Sequence, residues 1–446
     1  MADSEELIGR RPLEVEVEAE ALRSGRWDLL AQIGETCEQI DALDGRIRAF
    51  VDEPDRRGRL WAEVAATRAR WPEPATRPAL YGVPVGIKDI VHADGLATGG
   101  GSAVPAAELT GPQATVVTRL RAAGALIAGK TVTAEFAVTA PGPTRNPHHL
   151  DHTPGGSSSG SAAAVAAGLV PLAIGTQTVG SMIRPAAYCG VVGFKPGYGR
   201  IPVDGVIANA PSLDTLGIFA ADVAGVLRTA AVLCDDWQPE RATAGAGRAL
   251  PVLGVPTGPY LERADEAARA AFDAQVERLR RAGYPVRDVP RLLPDFDTVY
   301  AQQFLVNRYE VARTHADWFP RFGELYRPQT VAAIRQGHEV SEADYTAARA
   351  YQRAFRDRVL GTMADEEIDL WITPAATGTA PHGLATTGNS VMCLPWSYAG
   401  LPALTVPAGS LPPGLPLGLQ CVAPFGADER LLGWASAIEA VLADTA

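Results

Sequence analysis

The sequence predicts an α/β protein built on a parallel or mixed sheet. Three observations carry this. Short apolar runs of strand length recur along most of the chain, and amphipathic or Ala-rich segments of helix length alternate with them. The 446 residues, 47% of them hydrophobic and 20% charged, leave ample material for a core. No internal repeat and no extended low-complexity tract divides the chain, and α/β chains of this length often run as one unit.

The elements follow in order. Leu13, Val17, Leu22, Leu29, Leu30, Ile33, Cys37, Ile40 and Leu43 recur at helical spacing over 12–50, with Gly34 expected to interrupt the helix and Gly45 to end it. Residues 53–70 read as a charged surface helix, completing a helical N-terminal arm over about 1–70. In 79–90 (ALYGVPVGIKDI), Val83, Val85 and Ile87 alternate with small residues, which predicts a strand ending near Lys88. A helix over 114–123, a strand over 125–128 and a helix starting in 131–137 come next, then a long loop over 139–153. Residues 159–167 predict a helix of small residues, 170–175 a buried strand, 181–187 a turn or helix, and 190–194 a strand. A helix over 221–233 leads into a polar linker at 235–250. Strands are predicted at 252–255, 286–289, 368–373, 403–406 and 417–422, and helices at 264–282, through most of 292–362, and at 429–442. The aromatics of 292–362 point equally to an apolar pocket and to core packing.

Charge and cysteine usage exclude some functions. A net charge of −11 argues against a general affinity for nucleic acid or an anionic membrane. The longest apolar stretch, 162–175, is too short to span a bilayer and contains Pro171. Cys37, Cys189, Cys234, Cys393 and Cys421 are scattered without a CxxC pair, so neither a zinc ribbon nor a dithiol site is expected. An odd cysteine count, and an acidic start (MADSEELIGRR) without an apolar run, predict a cytoplasmic protein with reduced thiols.

The chemistry concentrates in 154–200, PGGSSSGSAAAVAAGLVPLAIGTQTVGSMIRPAAYCGVVGFKPGYGR. The loop around Ser157 reads as a flexible linker, a phosphate cradle or a catalytic loop; a P-loop lacks its lysine here. The turn Gly175–Ser181, GTQTVGS, is either a tight connection or a nucleophile turn whose amides face an oxyanion. Met182 and Ile183 follow Ser181, so this is no G-x-S-x-G elbow. Of the seven histidines, none stands in a context that marks it as a base. His148, His149 and His152 read as solvated, with only Asp151 close by, and no metal site is expected. Lys88 is a lone cation near the end of an apolar strand. If buried, it loses its charge readily and can serve as the base for a serine.

These motifs resemble the amidase signature family of serine hydrolases. The 154–200 stretch carries most of the likeness. GVPVGIKDI, GKTVTAEFA and the C-terminal LPALTVPAG…GLPLGLQCVAP…DERLL add to it, from about Tyr81 to Leu432 with 292–362 unmatched. The resemblance implies a single domain with a central mixed, twisted sheet and helices on both faces. It implies a Ser–cis-Ser–Lys triad of Lys88 as base, Ser157 as bridge and Ser181 as nucleophile, 24 residues apart for the two serines. The Gly156–Ser157 peptide would be cis, and the amides of Thr178, Val179, Gly180 and Ser181 would form the oxyanion hole. The family's usual GTDTGGS is GTQTVGS here, and its SIRxPA is SMIRPA, moving Arg184 one place. No arginine is assigned to bind a carboxylate. The implied function is hydrolysis of the C–N bond of a small-molecule amide, carbamate (urethane), urea or aryl amide without cofactor or metal. The protein would be a monomer or homodimer, and esters are a possible side substrate. Residues 139–152 and 292–362 would shape the pocket. The alternatives are the glutaminase subunit of a tRNA-dependent amidotransferase, and a non-catalytic binding protein.

Overall fold

The computed structural model describes residues 12–243 and 250–443; the acidic start and part of the 235–250 linker lie outside them. Three helices come first: α1 (Val15–Arg23), α2 (Leu29–Ile47) and α3 (Arg56–Arg70). The chain breaks between α1 and α2 at Gly25, which takes a φ of +76°. Asp28 then caps α2 by accepting from the Ala31 amide at 2.9 Å. Gly34 and Gly45 lie inside α2 rather than interrupting or ending it. A helical glycine costs about 1 kcal/mol relative to alanine, and the buried face of Ile33, Cys37 and Ile40 holds the helix across both.

The remainder alternates as predicted: β1 (Pro84–Lys88), α4 (Thr115–Ala122), β2 (Leu126–Thr131), α5 (Ser159–Ala166), β3 (Leu172–Gln177), α6 (Ile183–Cys189), β4 (Val192–Lys195), β5 (Thr215–Ala220), α7 (Val223–Leu233) and α8 (Pro239–Thr243). Then follow β6 (Leu253–Val255), α9 (Glu266–Arg281), β7 (Val286–Asp288), α10 (Phe296–Thr314), α11 (Phe319–Phe322), α12 (Pro328–Glu339), α13 (Glu342–Asp365), β8 (Leu370–Pro374), α14 (Leu394–Tyr398), β9 (Ala403–Leu411), β10 (Leu415–Val422) and α15 (Asp428–Ala443). The strands form one mixed sheet in the order β2-β1-β3-β5-β4-β9-β10-β8-β6-β7. Its ends are parallel, with β1 between β2 and β3 on one side and β6 between β8 and β7 on the other. The strands between them pair antiparallel.

Two expectations fail locally. β5 had no counterpart in the sequence reading, although it joins β3 to β4 at the centre of the sheet. The expected helix over 131–137 is absent. β2 runs through Thr131, and only a short 3-10 turn at Glu135–Ala137 follows, with Phe136 and Ala137 at positive φ. Tertiary hydrogen bonds set this path: the Ala134 amide donates to Ser157 O at 3.0 Å and the Phe136 amide to Gly100 O at 2.7 Å. Local helix propensity yields to them.

The period of two along β1 positions the site. Val85 and Ile87 enter one core with Leu172, Ile174, Leu216 and Ile218. Gly86 and Lys88 face the opposite side, where the apolar α5 packs with Ala173 and Phe219. Every residue of α5 is buried. Its small side chains are a steric need: a Cβ on Gly160 would sit 2.1 Å from Ala49 O and 2.5 Å from the Val132 amide.

Candidate active site

Strand β1 delivers Lys88 into the interior with no exposed surface. Its Nζ lies 2.7 Å from Ser157 Oγ, 2.8 Å from Thr176 Oγ1 and 3.0 Å from Ser158 Oγ. Among the described residues no carboxylate forms an ion pair with it. Burial pushes its ammonium well below the ordinary lysine range, opposed only by the more distant charge of Asp214. Ser157 and Ser158 precede α5, and the Gly156–Ser157 peptide is cis. Gly175, one residue beyond the Ile87–Ile174 pair of the β1–β3 register, leaves room for this cluster; a Cβ there would lie 2.7 Å from Ser158 Oγ.

The turn after β3 carries Ser181, which is partly exposed. Gln177 shapes that turn. Its Oε1 accepts from the Met182 and Ile183 amides at 2.7 and 3.0 Å, satisfying the start of α6. Its Nε2 donates to Ser397 Oγ at 2.8 Å, and that hydroxyl donates to Val179 O at 2.6 Å. Among the described residues, the amides of Val179, Gly180 and Ser181 donate to no protein acceptor. Thr178 Oγ1 donates to the buried Asp214 at 2.5 Å, which also accepts from the Asn209 and Ala210 amides. Burial pushes the Asp214 carboxyl up to about 6.

Thr178 to Ser181 line a cleft of about 180 Å³ together with Arg184, Asn209, Gln303, Asn307 and Arg308. Of the 292–362 region only α10 reaches the cleft, through Tyr300, Gln303, Phe304, Asn307 and Arg308. Of the 139–152 loop only Thr139 does, while the 377–390 loop contributes Thr387, Gly388 and Ser390. Most aromatics of 292–362 serve the core: Phe296, Tyr309, Tyr326 and Phe355 are buried, and Trp318, Phe319, Phe322, Tyr345 and Tyr351 pack against it. His148 departs from the solvated reading, for it turns inward with Nε2 2.9 Å from Cys189 O. Among the described residues no group of three His, Cys, Asp or Glu side chains is arranged to hold a metal. All five cysteines are free and buried. No helix among the described residues is long and apolar enough to cross a membrane.

Four positions around the site escaped the sequence reading: Ser158, Thr176, Asp214 and Ser397. The first two stood inside motifs already singled out, but hydroxyl direction is not readable from spacing. Asp214 immediately precedes β5, the strand that the sequence did not predict, and Ser397 approaches from 220 residues beyond Gln177.

A family model for amidases matches residues 31–432. The chain belongs to the amidase family. The match begins upstream of Tyr81 and spans 292–362, so the likeness is wider than the motifs alone indicated. A glutamyl-tRNA(Gln) amidotransferase subunit of Roseiflexus castenholzii (strain DSM 13941 / HLO8) is 35% identical, covering 89% of this amidase and 90% of its own length. Among solved structures, one from a vestigial protein complex that reveals the evolutionary origins of an s-triazine catabolic enzyme superposes with a TM-score of 0.85 at 30% identity. It covers 97% of this chain and 98% of its own. The peptide amidase of Stenotrophomonas maltophilia gives 0.81 at 28% identity, over 96% and 97% of the two chains. The fold is that of these amidases: one domain with a large mixed sheet flanked by helices.

Proposed function

We propose that this amidase hydrolyses the C–N bond of a small amide, carbamate or urea through an acyl-enzyme on Ser181, with Ser157 and Lys88 relaying the proton. The observation that carries the reading is the fully buried Lys88 Nζ, 2.7 Å from Ser157 Oγ and without a carboxylate partner among the described residues. Burial favours its neutral form, and the surrounding hydroxyls can accommodate that form. Ser158 Oγ donates to Thr176 O at 3.1 Å, so towards Lys88 it accepts. A neutral amine has two N–H groups and one lone pair. Ser158 Oγ and Thr176 Oγ1 take the two N–H groups, which leaves the lone pair for the proton of Ser157.

Lys88 takes the Ser157 proton while Ser157 takes that of Ser181, and Ser181 Oγ bonds to the substrate carbonyl carbon. The amides of Thr178, Val179, Gly180 and Ser181 stabilise the oxyanion. The C–N bond breaks, the proton returns through Ser157 to the departing nitrogen, and water then releases the acid from Ser181. Ser181→Ala is expected to abolish turnover of a chromogenic anilide or carbamate. A serine-directed phosphonate is expected to add to wild-type Ser181, read by mass spectrometry. Active protein that gains no adduct there would remove Ser181 from the mechanism.

The 35% identity to an amidotransferase subunit favours a second reading, in which the chain serves as the glutaminase of a tRNA-dependent amidotransferase. That reading requires a partner chain, whereas the first is satisfied by a monomer or homodimer. Amide turnover by the purified chain alone supports the first; turnover of glutamine only in the presence of a partner supports the second. The buried free thiols suit a reducing cytoplasm.

A further inference from the structure

We propose that Ser397, oriented by Gln177, is the positioning residue that aims the Gly180 amide into the cleft as an oxyanion donor. This deepens the hydrolase reading above and rests on it for what the amide binds, though not for how the amide is held. Ser397 sits in α14, 218 residues beyond Val179, and is 3% exposed. Its hydroxyl has one proton and two neighbours, Val179 O at 2.6 Å and Gln177 Nε2 at 2.8 Å. The roles are forced. Gln177 Oε1 already accepts from the Met182 and Ile183 amides at 2.7 and 3.0 Å, so the other arm of that side chain is its NH2, which only donates. The Ser397 proton is thereby directed to the Val179 carbonyl, which only accepts.

The Val179–Gly180 peptide is planar and trans, so its C=O and N–H point in opposite directions. Holding the carbonyl against α14 therefore turns the Gly180 N–H to the other side, where Val179, Gly180 and Ser181 line the cleft. Among the described residues that amide has no protein acceptor. The next peptide is set differently. The Gly180 carbonyl accepts from the Arg184 amide at 3.1 Å, so the start of α6 itself orients the Ser181 amide. Of these two amides, only that of Gly180 depends on a distant side chain. α14 gives it firm support. Trp396 and Tyr398 have no exposed surface, and the Met392 carbonyl just before the helix accepts from Tyr260 Oη at 2.6 Å and Gln420 Nε2 at 3.0 Å. The turn also packs directly on this segment, since a Cβ on Gly180 would lie 2.8 Å from Ser390 Cβ and 3.2 Å from Cys393 Sγ. Without the Ser397 bond the Val179 carbonyl is free to rotate towards the cleft, where its oxygen would repel an oxyanion instead of binding it.

The test replaces Ser397 and follows the para-nitroanilides of short aliphatic acids. Ser397→Ala is expected to lower kcat roughly 10²-fold, the worth of one oxyanion donor, with KM held within about threefold. Aldehydes of the same chains probe the donor without turnover. Ser181 Oγ bonds to the aldehyde carbon, protons shift from Ser181 to Ser157 and from Ser157 to Lys88, and the carbonyl oxygen keeps the electron pair of its broken π bond as the oxyanion. Wild-type protein should bind each aldehyde more tightly than the alcohol of the same chain. Ser397→Ala should remove a factor of roughly 10² from that preference and leave the affinity for the alcohol alone. Ser397→Thr and Ser397→Cys keep a donor and should recover part of both losses. An unchanged kcat, equal loss of aldehyde and alcohol binding, or no recovery in either donor-bearing variant overturns the proposal. A crystal structure of Ser397→Ala gives a readout independent of turnover. The Val179 carbonyl is expected to rotate away from α14, and an unmoved Val179–Gly180 peptide overturns the proposal. If wild-type protein turns over no amide and takes no aldehyde, the hydrolase reading fails, and that structure still decides whether Ser397 holds the peptide.

Discussion

Two lysines are buried on neighbouring strands, Lys88 at the end of β1 and Lys130 near the end of β2, and their surroundings differ in one respect. Lys130 is 4% exposed and meets the Asp89 carboxylate at 3.0 Å, with Thr98 Oγ1 at 2.8 Å. Lys88 is wholly buried and meets three hydroxyls. Burial lowers both ammonium groups, but Asp89 holds part of the charge on Lys130, whereas Lys88 falls well below the lysine range. Equal burial thus yields a structural ion pair in one place and a candidate base in the other. The counterion decides between them.

Replacing each lysine by methionine should separate the two roles. Lys88→Met is expected to lower kcat by roughly 10⁴–10⁶-fold, as loss of a member of a catalytic unit does. Its unfolding free energy should not fall below that of wild type, because a buried lysine that must shed its proton on folding costs stability at neutral pH. A drop of several kcal/mol in urea titrations would place Lys88 with Lys130 as a structural cation. Lys130→Met should show the reverse. It strands a buried Asp89 and should cost about 3–5 kcal/mol of stability, and adding Asp89→Leu should recover much of that loss. Failure of the double variant to gain over the single one would contradict a simple ion pair. Smaller effects are expected from Thr176→Val, which removes one acceptor facing Lys88. A lost hydrogen bond of that kind corresponds to about a tenfold fall in kcat, and an unchanged rate would take Thr176 out of the arrangement.

Much of this contrast was readable in the chain and its decisive part was not. Lys88 stood out because a single cation ended an apolar strand, and the period of two placed it opposite Val85 and Ile87. Ser157 and Ser181 lay in a long, specific motif. What spacing does not encode is which groups converge from afar. Asp89 follows Lys88 directly, yet it pairs with Lys130 on the next strand. Arg184 read as a displaced family residue, and only the packing of α10 and the 377–390 loop around it reveals a cleft rich in donors. The segment 131–137 reads as helix because its bonds to Ser157 O and Gly100 O are long-range. The short apolar run of β5 carried no periodicity to separate it from loop or helix.

The smallest effect tests the charge state of Lys88 without reference to catalysis. Its folded pKa lies well below the unfolded value near 10.5. Between those two values the unfolded chain binds a proton that the folded chain lacks, so stability from this group rises with pH and is lost as pH falls. The rise is bounded at about 1.4 kcal/mol per pH unit for one proton. Lys88→Met has no such group. The difference in unfolding free energy, wild type minus Lys88→Met, should therefore grow between about pH 8.5 and 9.5, while the unfolded lysine is still protonated. Other titrations cancel in the subtraction. A flat difference would mean that Lys88 keeps its proton on folding, which would leave Ser157 without a base. The same measurement on Lys130→Met should give a shallower slope, because Asp89 offsets part of the burial that lowers Lys130.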